Sequence, residues 1–389
     1  MTEKVDDTGL AKKRSDRRVY LDYALRCPLR ADAVEFWKTV RLLPQGLPVS
    51  PHKSGRLAGD FLEECRHSVG KVLSCDTSKN VRFFSSFVMA AQRCFDAAAA
   101  NSASNSRVVF LGAAESPTVR QAAVSWACLR GWTVREVACD ASGCCNLSMW
   151  TQAIRENQCR GGIAVCCSAN SEVGTLQPGQ ELAVLARDAG LSLVRDVSST
   201  FCWASLERGF FEGSYILCSA ARMGAADFGS FVVFTGEPPE HQEPEPVSLA
   251  GAIRAVTEGW FVEGFGKEER MRRLRQLFVA DLQKRLPELV QLGPQEEERR
   301  LPHVLGLRIP GVESEALSLV CDLRGVEFSH SPACVADAVR ESHFLLALGL
   351  SAHDVRECIT LSLGPGTTQE EILFAALTIS DAAFRVKGI

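Results

Sequence analysis

Between residues 80 and 235 the chain alternates short, nearly unbroken apolar runs with segments of helical periodicity, and this alternation constrains the fold more than any other feature. Arg107–Leu111, Gly161–Cys167, Leu191–Asp196, Ser214–Ser219 and Gly229–Phe234 read as buried strands. Pro117–Arg130, Leu147–Glu156 and Gly179–Ala189 read as the helices between them. A strand that is apolar at almost every position needs cover on both faces, which helices on either side of a parallel sheet provide. The expectation is an α/β fold with a doubly wound, mostly parallel sheet.

After Phe234 the run Thr235–Pro246 is rich in proline and acid and has the composition of a surface loop. An amphipathic helix is expected over Glu268–Leu286, with Met271, Leu274, Leu277, Phe278 and Leu282 on one face. Val304–Ile309, a helix near Glu313–Arg324, Val326–Ser329 and a helix over Gln369–Arg385 then form a smaller α+β unit. Near the start, Val19–Tyr23 is strand-like, and Leu57, Phe61, Leu62, Cys65, Val69 and Leu73 share one helical face. The expected division is a flexible tail at 1–18, a large α/β domain at 19–250 and a small C-terminal α+β domain at 251–389.

Hydrophobic residues make up 46% and charged residues 23% of the chain, which excludes the disordered and fibrous classes. A net charge of -4 supplies no basic field for nucleic acid or an anionic membrane. No apolar run approaches the roughly 20 residues that span a bilayer. The first residues lack an apolar stretch and carry Glu3, Asp6 and Asp7, unlike a secretory leader, so a cytoplasmic or nuclear location is expected, with a mitochondrial one left open. The basic run Lys12, Lys13, Arg14, Arg17, Arg18 reads either as a nuclear signal or as a solvated tail. Sixteen cysteines, many inside apolar runs and with no C-x-x-C pair, indicate reduced thiols and no structural metal.

Five motifs occur in a telling order. Tyr20-Leu21-Asp22-Tyr23 with Pro28 is similar to Y-L-D-x-x-A-T-T-P, and Ser50-Pro51-His52-Lys53-Ser54-Gly55-Arg56 to S-x-H-x-x-G-R. Asn170-Ser171-Glu172-Val173-Gly174-Thr175-Leu176-Gln177-Pro178 resembles N-N-E-x-G-x-x-Q-P, and Ser329-His330-Ser331-Pro332-Ala333-Cys334 resembles S-x-G-S-A-C. Ser362-Leu363-Gly364, with Thr367-Thr368 and Glu370-Glu371, is similar to S-L-G-x-x-T-T-x-E-E. From Tyr20 to the C-terminus the chain therefore resembles the cysteine desulfurases and selenocysteine lyases, pyridoxal-phosphate enzymes of the class V aminotransferase superfamily. That resemblance implies a dimer, either of two identical chains or with a related protein, whose active site lies near the interface.

The resemblance also assigns site positions. The family holds its cofactor as an imine on the lysine of S-x-H-K, where the ring stores the electrons of a developing carbanion. The matching segment here is Ser219-Ala220-Ala221-Arg222, and a guanidinium is too poor a nucleophile to replace the amine. A shift of register does not help, because no lysine occurs between Lys79 and Lys267. The phosphate turn T-S-G-A-T-E matches Ser85-Ser86-Phe87-Val88-Met89-Ala90, whose bulky residues are expected to fill the phosphate's space. Ser116 stands for the ring-stacking histidine, Ser199 for the glutamine of H-x-D-x-x-Q, and Thr360 for the arginine that binds the substrate carboxylate. Asp196 is retained, as a partner for the ring nitrogen or as a strand-end aspartate bonded to backbone amides. Cys334 matches the persulfide-carrying nucleophile, and His330 beside it either lowers the thiol pKa or is an unrelated surface residue.

The expected site is therefore Cys334 and Arg222 as chemical positions, with Asp196, Ser219, Ser171, Ser85 and Ser199 as a degenerate cofactor cradle. No cofactor and no metal are expected. The function expected is that of a catalytically inactive cysteine desulfurase-like protein acting as a structural, scaffold or regulatory partner. The alternative is an active desulfurase or sulfurtransferase with Cys334 as sulfur carrier. A third reading, a small-anion site built from Asp196, Arg222 and Gly174, also stays open.

Overall fold

The computed structural model describes residues 18–388, apart from 44–45, 74–77, 103–105, 158–160, 206–212, 237, 239–243 and 331–340. A short strand β1 (Val19–Tyr20) precedes helices α1 (Ala31–Thr39) and α2 (Lys53–Val72). His52 starts α2 by accepting the Gly55 amide on Nδ1, which gives the S-x-H-x-x-G-R segment a capping role. The alternating core follows: β2 (Val81–Phe84), α3 (Phe87–Ala100), β3 (Val108–Gly112), α4 (Pro117–Arg130), β4 (Thr133–Val137), α5 (Leu147–Glu156) and β5 (Ile163–Val165). It continues with α6 (Gly179–Asp188), β6 (Ser192–Asp196), β7 (Ser214–Ser219), a single turn α7 (Ala220–Met223) and β8 (Ser230–Val233).

These strands form one seven-stranded sheet in the order β2-β8-β7-β6-β5-β3-β4, parallel except for β8, which runs against both neighbours. Side chains alternate between the two faces, as period-two geometry requires. On β3, Val109 and Leu111 pack with Phe95, Val119 and Trp126 of α3 and α4, whereas Phe110 packs with Trp150 and Leu182 of α5 and α6. On β7, Tyr215 and Leu217 join the first of these layers, and Ile216 and Cys218 join a third cluster with Leu62, Val69 and Ile253. The doubly wound α/β fold expected from the sequence is present. The strand β4 lacks the apolar signal because it is a largely exposed edge strand.

The chain then enters α8 (Val247–Arg285), a 39-residue helix that starts directly after Pro246. At 1.5 Å per residue it is about 58 Å long. Leu249, Ile253, Val256 and Trp260 lie in the core of the large unit, and Leu274, Phe278 and Leu282 in that of the small one. Residues 250 and 251 thus fall inside one continuous helix. The small unit holds β9 (Val290–Gln291), β10 (Val304–Arg308), α9 (Ser314–Asp322), β11 (Val326–Glu327), β12 (Ser329–His330), α10 (His343–Ala347), α11 (Ala352–Val355), β13 (Cys358–Ser362) and α12 (Gln369–Lys387). Strand β1 pairs in parallel with β11, and Leu21 is buried with Leu305 and Leu361, so the first strand packs into the small unit's core. No described helix is long and apolar enough to cross a membrane.

Two substitutions on α8 separate burial from helix propensity. Phe278→Ala, at a fully buried position, is expected to cost about 3–5 kcal/mol in denaturant unfolding. Phe261→Ala, at a position 64% exposed, is expected to stay within about 0.5 kcal/mol of the parent.

Candidate functional site

The parallel strands of the large sheet end at one edge, and the chemistry-bearing residues gather there, outside the carboxyl ends of the strands. Asp196 is the last residue of β6 and is buried. Its Oδ1 accepts from the amide of Ser198 at 2.9 Å and also from the Ser198 hydroxyl. The same hydroxyl oxygen accepts from the amide of Ser219, at the end of β7, at 2.9 Å. A two-bond relay therefore ties the ends of β6 and β7 together and sets the Asp196 carboxylate. Burial pushes its pKa up, and the Ser198 bonds and the nearby Arg222 charge oppose that shift.

Arg222 follows in α7, which ends at Gly224 with φ +75. A Cβ at Gly224 would lie 2.7 Å from the Pro28 carbonyl oxygen, so the turn that presents Arg222 requires glycine. Nη1 of Arg222 donates to the carbonyl of Ala24, and the Arg222 carbonyl accepts from Trp203 Nε1 at 3.0 Å. The guanidinium thus reaches from the large sheet to the segment after β1. There Asp22 has one carboxylate oxygen bonded by the Ser329 hydroxyl at 2.7 Å and the other buried with no partner. Burial lifts Asp22 to about 6, against the pull of Ser329 and Arg222.

The remaining expected positions divide between cleft and scaffold. Ser85 and Ser86 are exposed at the start of α3, where Ser86 caps the Met89 amide. Phe87 and Met89 are partly buried against the core cluster that holds Phe84, Ala90 and Phe95, whereas Val88 of the same turn is 45% exposed. Ser171 is buried and Ser199 partly exposed, both beside the cleft strands. The turn from Asn170 to Gln177 is built on itself. Asn170 Oδ1 takes the amides of Glu172 and Val173 at 2.9 and 3.1 Å, and Gln177 takes the Cys145 amide at 2.7 Å. Thr360 donates to the Glu172 carbonyl at 3.0 Å, and Ser116 caps α4. His330 lies in β12, but Cys334 lies outside the described residues.

Two groups were not anticipated from the sequence. Glu115 is 1% exposed, and neither carboxylate oxygen has a hydrogen-bond partner among the described residues. Burial raises its pKa well above the carboxylate range, and the neighbouring Asp196 charge adds to the shift. His303 stacks on Trp203, with ring centroids 4.2 Å apart, and burial lowers its pKa to about 3. A buried charge leaves no periodic signature in sequence, so neither could be read there.

Residues 45–207 match the family model for aminotransferase class V. Cysteine desulfurase IscS of Dictyoglomus turgidum is 26% identical over 370 residues, covering 92% of both chains. Along nearly its whole length the chain is similar to cysteine desulfurases, and over residues 45–207 to the class V aminotransferases. Cysteine desulfurase IscS 1 of Archaeoglobus fulgidus is 24% identical, over 91% of this chain and 94% of its own. A solved NifS-like protein superposes with a TM-score of 0.81 at 20% identity, over 94% of this chain and 98% of that one, and shows the same fold.

These relatives overturn two expectations. The chain was expected not to be an enzyme, yet relatives along nearly its whole length are cysteine desulfurases. It was also expected to hold no cofactor, whereas this family works with pyridoxal phosphate. The reasoning from the missing lysine treated covalent attachment and pocket as one thing, although ring and phosphate contacts are physically separate from the link. The residues present fit those contacts: a buried carboxylate at Asp196, and the exposed Ser85 hydroxyl beside the N-terminus of α3, where Ser86 caps the Met89 amide. They do not supply the linking amine.

Asp22 gives a pH test. With its folded pKa raised to about 6, the folded state binds the proton more tightly than the unfolded chain. That stabilisation is complete below the ordinary carboxylate range and is lost as pH rises through about 6. Asp22→Asn is therefore expected to be about 1–3 kcal/mol more stable than the parent at pH 7.5, and nearly equal to it at pH 4, in paired urea titrations.

Proposed function

We propose that the chain is a pyridoxal-phosphate enzyme of the cysteine desulfurase type, which takes sulfur from cysteine or a close thiol amino acid onto Cys334. The observation that carries this reading is the Asp196 carboxylate, held by Ser198 and Ser219 at the sheet edge of a family fold. When bound, the cofactor supplies an electron sink. Asp196 holds a proton at the ring nitrogen, and the relay through Ser198 keeps its oxygen aimed. Ser85 and the N-terminus of α3 that Ser86 caps would hold the phosphate, with the helix dipole favouring its charge. Cys334 belongs to this proposal on sequence grounds, as the sulfur acceptor, and its thiolate is the reactive form. We also place the chain in a homodimer, supported by the dimers typical of related cysteine desulfurases.

The test is sulfur release from L-cysteine by purified protein supplied with pyridoxal phosphate. Persulfide on Cys334, lost in Cys334→Ala, is the expected result; turnover no higher than that of free thiols would overturn the reading. A second expectation isolates residue 222. Arg222→Lys should acquire a pyridoxyl group on that residue after borohydride reduction, located by peptide mass, whereas the parent should release its cofactor on dialysis. A variant that stays unmodified would show that residue 222 does not face the cofactor.

A further inference from the structure

We propose that Arg222 is the carboxylate clamp for the amino-acid substrate, an inference that rests on the functional reading above. An amino acid with its amine at the reacting centre presents a carboxylate a few ångströms away, and a cleft that orients it needs a fixed cation. Thr360 cannot serve, because its hydroxyl is neutral and is already donated to the Glu172 carbonyl. Arg195 is fully buried, one residue before Asp196 and so on the opposite face of the sheet, with Nη2 on the Gly179 carbonyl. Arg30 lies over the Trp203 ring at 4.9 Å and donates to the Cys202 carbonyl.

Arg222 differs from both. It is only partly buried, stands just past the end of β7 and makes a single guanidinium hydrogen bond among the described residues, from Nη1 to Ala24. Its charge bears on Asp196 and Asp22, yet no described carboxylate reaches ion-pair distance from it. Each of those carboxylates has its own hydroxyl partner, Ser198 for Asp196 and Ser329 for Asp22. The guanidinium therefore has N–H donors beyond the one spent on Ala24, in the planar geometry that matches a carboxylate bidentately. Because guanidinium stays protonated across the physiological range, the clamp would work at any pH at which the substrate carboxylate is ionised.

The experiment compares L-cysteine with cysteamine, which has the same amine and thiol but no carboxylate. Perturbation of the bound pyridoxal phosphate spectrum is the readout, in the parent and in Arg222→Gln. The parent should bind cysteine on the order of tenfold to a hundredfold more tightly than cysteamine, as a charge-assisted bond implies. Arg222→Gln should lose that preference while keeping its cysteamine affinity, which also reports that the variant is folded. A preference that survives in Arg222→Gln overturns the clamp, as does a parent with equal affinity for both compounds. If neither compound perturbs the parent's spectrum, the functional reading fails and the clamp with it.

Discussion

The large sheet is covered by helices on both faces, and that constraint shapes everything else in the molecule. Interior strand positions must be apolar, so polar chemistry is confined to the ends of the strands, where backbone groups also run out of partners. Asp196, Ser219 and Glu115 all sit at such ends, beside the turn that carries Asn170 and Ser171. The second unit closes over the same edge, joined by one long helix and by β1, which leaves the large unit's chain segment to pair with β11. Arg222 bridges the two by reaching Ala24.

Carboxyl groups at this edge share one electrostatic condition. Asp22, Asp196 and Glu115 are all pushed upward by burial, and they differ in what opposes the push. Asp196 has an amide, a hydroxyl and Arg222; Asp22 has a hydroxyl and Arg222; Glu115 has the Cys167 backbone and the Arg195 charge. Asp196 is the one of the three that combines an amide, a hydroxyl and Arg222 against the push of burial.

Several features were legible in the chain because their physics is local. The helix from Pro117 to Arg130 is closed by bonds within a few residues, so residue type and spacing were enough, and the Asn170–Gln177 and His52 segments were legible as motifs. How Phe87 and Met89 pack against the core depends on the placement of α3, which spacing alone does not report. The exposed edge strand β4 gave no apolar run, and the fully buried Glu115 and His303 gave no pattern. The expectation of no enzyme and no cofactor was overturned by the relatives: a missing nucleophile is visible in one sequence, whereas the chemistry its relatives share is not.

The sequence by itself determined the alternating sheet and the absence of any lysine from residues 80 to 266, because these follow from periodicity and composition, and its motifs carried the resemblance to the cysteine desulfurases. Only the tertiary structure decided that Ser198 joins Asp196 to Ser219, that α8 serves two cores, that Ser86 caps the start of α3 and that Arg222 donates to Ala24. Those outcomes depend on contacts between residues far apart in the chain, whose energies are set by burial and by which neighbours the fold brings within reach.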